Sequence, residues 1–308
     1  MRGRGFTLAE LLVALGIGGL LLGLLLSTTL GNRRLYVLDQ SRTAVNQNLR
    51  AALDILVADI RQAGERLPGD FPAVEVRNGN ELVLRRNLLD VSLAVCDQNG
   101  INGNQDNIPV NQDNIPVPVA DKNPPPNATP AYLDACAFRD TNGNLYDDRI
   151  EIWQSYRCNS DGVPGCNNGN RREAVRAYIY DPVNKRGEWF EYDAEDGSGV
   201  KIHKGNNERW QNSYGPLSRL YILEERRYYL EGGILKLAEN GQEGKGLVAD
   251  VTGFQARARA NGSWYTVFPP PNLNWRTLEA VEATVQVRIG SVARTMTTQA
   301  VPRNVFSQ

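Results

Sequence analysis

Apolar residues follow three different patterns along this chain. Residues 6–30 read FTLAELLVALGIGGLLLGLLLSTTL, apolar on every face, with Glu10 as the single charge. A helix over this stretch is about 37 Å long, enough to cross a bilayer. Over residues 31–63 the pattern becomes a helical stripe. Leu38, Val45, Leu49, Leu53, Leu56 and Ile60 recur at helical spacing, while Arg42, Arg50, Asp54 and Arg61 fall mostly on other faces. Gly64, with Pro68 behind it, predicts the stop. Beyond that point the period drops to two. Phe71–Arg86 alternates around Asn78-Gly79-Asn80, a hairpin signal. Further strands are expected at Val91–Val95, Ile150–Tyr156, Val175–Tyr180, Glu188–Tyr192 and Arg219–Leu223. Arg227–Leu237 reads as a hairpin turning at Glu231-Gly232-Gly233, and Val251–Ala258 and Val281–Ile289 as the last two strands. In the last, Val281, Ala283, Val285, Val287 and Ile289 share one side, and Glu282, Thr284, Gln286 and Arg288 the other, which predicts an antiparallel strand with one wet face. The fold class is therefore α+β: one long N-terminal helix packed on an antiparallel sheet body.

The periodicity breaks between residues 97 and 147, a loop insertion rich in Asn, Asp, Gly and Pro. Asn104–Val110 and Asn111–Val117 are identical copies of NQDNIPV, too short and too few for a repeat architecture. They read as a duplication in a tolerant surface loop. Pro124-Pro125-Pro126 adds a stiff extended stretch. Asp140–Glu151, DTNGNLYDDRIE, has calcium-loop spacing, with oxygens offered by Asp140, Asn142, Asn144, the Tyr146 carbonyl, Asp148 and Glu151. It departs from the EF-hand pattern, because position six is Leu145 and the glycine is Gly143. Nor does a helix flank it in the sequence pattern. A Ca²⁺ loop and a plain Asx-rich turn both fit. Asp97, Asn99, Asn102, Asn104 and Asp106 form a second, weaker set of the same kind.

Composition narrows the chemistry. The 308 residues carry 34 Lys+Arg against 35 Asp+Glu, so no global field draws the chain to nucleic acid. Two local patches, Arg171-Arg172 and Arg226-Arg227-Tyr228-Tyr229, combine cations with aromatics and keep a DNA-contact reading open, but Glu173, Glu224 and Glu225 adjoin them. His203 is the only histidine, lies among lysines and is expected to be exposed. A lone histidine argues against a Ser-His-Asp or Cys-His arrangement, and no phosphate-binding P-loop occurs, so no enzyme is expected and no cofactor other than calcium is suggested. Four cysteines, Cys96, Cys136, Cys158 and Cys166, contain no C-x-x-C pair. If the body lies outside the cytoplasmic membrane they read as disulfides, and short loops close at lower entropic cost. The pairing expected on that ground is Cys96–Cys136 with Cys158–Cys166.

The N-terminus distinguishes between anchors. Arg2 and Arg4 precede the apolar run, which keeps the first residues cytoplasmic and sends the body outward. A secretory signal has a shorter core and a small-residue cleavage site after it; Ser27-Thr28-Thr29 is a poor one. An ordinary anchor rarely carries a carboxylate such as Glu10 inside its apolar run, since that is costly in lipid. Gly19 and Gly23 have the spacing that lets helices approach closely.

Gly5-Phe6-Thr7-Leu8-Ala9-Glu10 resembles the processing motif of type IV pilins and pseudopilins. The resemblance implies cleavage after Gly5 by a prepilin peptidase, then N-methylation of Phe6. The order of segments is then a leader at 1–5, a transmembrane and assembly helix at 6–30, its amphipathic continuation at 31–64 and a globular body at 65–308. Glu10 would meet the new amine of a neighbouring subunit in an apolar filament core, each charge offsetting the other. Asp59-Ile60-Arg61-Gln62-Ala63-Gly64, Val251-Thr252-Gly253-Phe254-Gln255-Ala256 and Arg303-Asn304 resemble PilW-type minor pilins, and the large body with Glu10 is also similar to J-type minor pseudopilins of type II secretion. Such a protein implies other pilins, the pilus assembly platform and the inner membrane as partners. It would be a structural subunit that supports pilus assembly, twitching motility, adhesion or DNA uptake, with its body in the periplasm before reaching the cell surface.

Overall fold

A computed structural model describes residues 7–103, 115–160, 173–205, 209–289 and 292–305. Helix α1 runs from Leu8 to Gln62, 55 residues without a break. Among the described residues its apolar first half is largely uncovered: Leu8, Leu15, Leu22 and Leu30 are all more than half exposed. The stripe takes over further on. Leu49, Leu53, Leu56 and Ile60 are buried, and Val45 packs partly against the same core. The side chain of Leu38 lies outside the described residues. The helix stops where the sequence predicts. Ala63 leaves helical geometry, its N–H still bonded to the Asp59 and Ile60 carbonyls.

The elements after α1 are β1 (Val74–Arg77), β2 (Glu81–Asn87), β3 (Leu93–Ala94), β4 (Ile115–Pro118), α2 (Pro130–Cys136), α3 (Asp148–Cys158), β5 (Val175–Asp181), β6 (Arg186–Glu195), β7 (Lys201–Lys204), β8 (Arg219–Tyr221), β9 (Leu223–Glu231), β10 (Ile234–Glu239), β11 (Lys245–Val248), β12 (Val251–Ala260), β13 (Ser263–Tyr265), β14 (Leu278–Ile289) and β15 (Val292–Ala300). They form three sheets, ordered β1-β2-β9-β10-β11, β13-β12-β14-β15 and β3-β8-β5-β6-β7-β4. Every strand pair within them is antiparallel.

The first two sheets and the C-terminal half of α1 enclose the larger core, which includes Leu56, Val74, Leu82, Tyr228, Phe254, Val281 and Val285. The third sheet has its own core, built around Trp153, Ile179, Phe190, Tyr192 and Leu220. The two units meet on aromatic edges. Phe71 lies 5.0 Å from the Tyr180 ring and 4.9 Å from that of Tyr221. One chain segment serves both units, since β8 ends at Tyr221 and β9 starts at Leu223.

Two expectations change. Ile150–Tyr156 is helical, part of α3, and not a strand. Ile152 and Trp153 are adjacent apolar residues that break the alternation, while Ile150 and Trp153, three apart, are both fully buried, which is helical spacing. Asp147 starts the helix by accepting the Arg149 N–H at 3.0 Å. His203 is not exposed. It sits half-buried on β7, with neither ring nitrogen hydrogen-bonded among the described residues. Strand β15, VARTMTTQA, escaped sequence reading because it carries no apolar alternation; pairing with β14 along nine positions defines it instead.

Candidate functional site: the assembly helix and its seat

Thr7 caps α1. Its hydroxyl accepts the Glu10 N–H at 3.3 Å, and the Glu10 carboxylate accepts the Thr7 N–H at 3.0 Å and the Thr7 hydroxyl at 2.9 Å. This is a reciprocal capping box. A single chain thus gives Glu10 a local partner, where the sequence reading foresaw only one from a neighbour. The Thr7-x-x-Glu10 spacing was the signal that could have shown it. Both residues are exposed and stand at the tip of an apolar rod. The predicted cleavage and methylation site, Gly5 and Phe6, lies outside the described residues.

At its other end the helix is held by polar contacts as well as by the apolar stripe. Asp59 accepts the Tyr228 hydroxyl and a contact from Arg226 at 3.4 Å. Arg226 also pairs with Glu224 at 3.3 Å. The C-terminal carbonyls of Gln62 and Ala63 accept the Asn304 amide at 3.4 and 3.3 Å. That contact joins the end of the helix to the end of the chain. The strand period also divides the Arg226–Tyr229 patch. Arg226 and Tyr228 turn to the helix, whereas Arg227 stacks on the Tyr229 ring at 4.6 Å and lies 3.7 Å from Glu81 on the opposite face. The four residues therefore do not form one cationic surface, and Arg171-Arg172 lies outside the described residues.

Buried ion pairs fix the sheets around this seat. Arg85, 4% exposed, bonds Glu225 and Glu75 at 2.6 Å each and the Pro72 carbonyl at 2.7 Å. Burial alone would lower the Arg85 pKa, but the two carboxylates outweigh it and hold the guanidinium charged well above its usual range. For Glu75, burial pushes the carboxyl up, yet Arg85 and Arg77 win and hold it below its ordinary value. At the third sheet Arg157 of α3 grips Glu195 of β6 through two bonds of 3.0 and 2.8 Å.

The loop read as a calcium candidate closes on itself. Asp140 accepts the N–H groups of Gly143, Asn144 and Leu145 at 2.6, 3.2 and 2.9 Å. Asp148 accepts the Thr141 N–H at 3.1 Å. Glu151, on the first turn of α3, faces the side-chain amides of Asn142 and Asn144. Tyr146 donates its N–H to Asn144 at 2.9 Å. Leu145 holds φ at 72°. Among the described residues no three His, Cys, Asp or Glu side chains gather as a metal site. Of the weaker set, Asp97 accepts the Asn99 N–H at 2.9 Å and Asn102 contacts Ser213, while Asn104 and Asp106 lie outside the described residues. Cys96 and Cys136 are joined, with Cα atoms 5.5 Å apart, in a small core with Tyr132. Cys158 is also disulfide-bonded, and Cys166 lies outside the described residues.

Residues 1–26 match the family model described as the prokaryotic N-terminal methylation motif. No curated protein and no solved structure matches the chain. The motif implies processing by prepilin peptidase and assembly with other pilins. It is followed by one helix long and apolar enough to cross a membrane, of mean hydropathy 2.3 in its most apolar stretch. With that motif, that helix and an antiparallel body docked on the helix's far half, the chain is a type IV pilin-like protein.

Proposed function

We propose that this chain is a minor pilin: a non-catalytic structural subunit built into a pilus or priming one, at its tip or initiation complex. The observation that carries this is the size and construction of the body. A six-stranded sheet with its own core stands beside the two sheets that seat the helix. Such bulk suits a subunit present in few copies better than one repeated densely along a fibre. The body then lies in the periplasm before assembly and on the cell surface afterwards, and the subunit serves motility, adhesion or uptake through the pilus. A minor pseudopilin of type II secretion is the second reading, favoured by the same large body on a Glu10-bearing helix. Isolating sheared pili separates the two: the chain is expected in the pilus fraction, and its presence only with secretion pseudopilins would support the second reading.

Glu10 is the residue to test. The capping box leaves its carboxylate at the exposed helix tip, where a neighbour's amine could replace Thr7 as its partner. Glu10→Val should leave cleavage intact and sharply reduce incorporation, measured by mass of the mature chain and by its recovery in sheared pili. Normal incorporation would mean charge pairing does not set register here.

Calcium is a ligand this reading admits for loop 140–151. Leu145 takes the left-handed backbone at the loop's sixth position, its N–H on Asp140, and Glu151 follows on α3. About 1 mM Ca²⁺ is expected to raise the melting temperature of the full chain in detergent, and Glu151→Gln to abolish the rise. An unchanged melting temperature would leave a plain Asx-rich turn.

A further inference from the structure

The outward face of sheet β13-β12-β14-β15 carries no part of the helix seat, and the turn between β1 and β2 joins the β12 edge beside it, next to β13. That turn is fixed there by main-chain bonds. Gly79 N–H donates to Thr266 at 2.7 Å, and Ala256 N–H donates to Gly79 at 2.8 Å. Val76 and Phe268 exchange bonds of 3.0 and 2.9 Å just below. Asn78 and Gly79 hold φ at 51° and 69°, a tight turn that no side chain needs to support. Along this junction of turn and outward face lies an open trough of about 710 Å³.

Its lining is mainly polar and uncharged. Asn78, Asn80, Gln255, Thr266, Thr284 and Thr297 supply amides and hydroxyls. Thr284 and Thr297 already bond each other at 2.9 Å across β14 and β15. The charges in the trough cancel: Arg257 pairs with Glu282 at 2.7 Å and is held over the Trp264 ring at 4.3 Å. The result is a rigid concave surface rich in both donors and acceptors, with no net charge to attract phosphate and no large apolar floor to seat a peptide.

We propose that this trough binds a short neutral oligosaccharide. Sugars present closely spaced hydroxyls that donate and accept at once, and they match a set of carboxamides and hydroxyls better than any charged ligand does. Because the turn and sheet are already fixed, little ordering opposes a weak ligand. The inference does not depend on whether the subunit serves a pilus or a secretion system.

The test uses the full chain in phosphatidylcholine nanodiscs, since glycosidic detergents would compete. Maltotriose, cellotriose and chitotriose are titrated by saturation-transfer NMR, with a random-sequence DNA duplex as the anionic probe. At least one trisaccharide is expected to bind saturably. Gln255→Ala and Asn80→Ala, both exposed positions that leave the core intact, should each weaken binding about fivefold, the value of one hydrogen bond. Circular dichroism confirms that each variant is folded. Absence of saturable binding to all three sugars, affinity unchanged in both variants, or displacement of bound sugar by the DNA duplex would each overturn the assignment.

Discussion

At Gly64 the backbone sits at φ 80°, and a Cβ there would lie 2.2 Å from the Trp275 ring. Two requirements meet at one residue: a left-handed conformation that ends the helix, and a closeness that lets Trp275 reach the Pro68 carbonyl at 2.9 Å. Gly64→Ala must both strain the backbone and displace a fully buried indole. A loss of about 2–4 kcal/mol follows, read as a lower urea midpoint of the full chain in detergent. The glycine was legible in the sequence as a stop; the indole beside it was not, because 211 positions separate the two residues and only folding brings them together. Thr7 and Glu10 are the reverse case. Their contact spans three residues, so the sequence contained all of it.

At the scale of elements, alternation predicted strands well where one face is wet, and failed at Ile150–Tyr156, which folds as part of α3. Strand β14 shows the success: Val281, Ala283, Val285 and Val287 are buried and the residues between them are not. Strand β2 is the harder case, since Leu82, Val83, Leu84 and Arg85 are all buried. The five-stranded sheet is covered on both sides there, and Arg85 is tolerated only because Glu75 and Glu225 meet it. Glu75 also gives these strands a pH signature. Its folded pKa lies below 4.5, so its pairing contributes stability that is complete above that value and is lost as pH falls through the folded pKa. Wild-type stability should therefore drop below about pH 4.5, and Glu75→Gln should flatten that slope while lowering stability at neutral pH. Unfolding curves across pH 3–7 check this; equal slopes in both proteins would show that other carboxylates carry the acid sensitivity.

On the scale of the whole molecule, the chain divides between a rod left uncovered by the described residues and a body that has two cores. Residues 8–30 are exposed on all sides apart from half-buried Gly18, as expected of a segment whose surroundings are lipid or other helices. The two cores meet at Phe71, where Tyr180 and Tyr221 press edge-on against its ring. Phe71→Ala is expected to cost about 3–5 kcal/mol and to split one melting transition into two, the helix-bearing sheets and the six-stranded sheet unfolding apart. A single, merely lower transition would show that the shared β8–β9 segment is enough to couple them.

What the sequence determined by itself is what depends on near neighbours. The processing motif, the apolar run, the stripe that seats the helix, the hairpin at Asn78-Gly79 and the wet-faced strand are all patterns within a few residues, where covalent geometry sets which side chains share a face. Only the tertiary structure decided the rest. It made Ile150–Tyr156 a helix, because a buried Trp153 needed a second apolar residue one turn away. It divided Arg226–Tyr229 between two faces, and it seated Asp59 on Tyr228 and Arg226. It also joined a hairpin turn to the edge of a distant sheet and so formed a trough. These features depend on contacts between residues far apart in the chain, whose worth rests on burial and distance, and neither exists until the chain has folded.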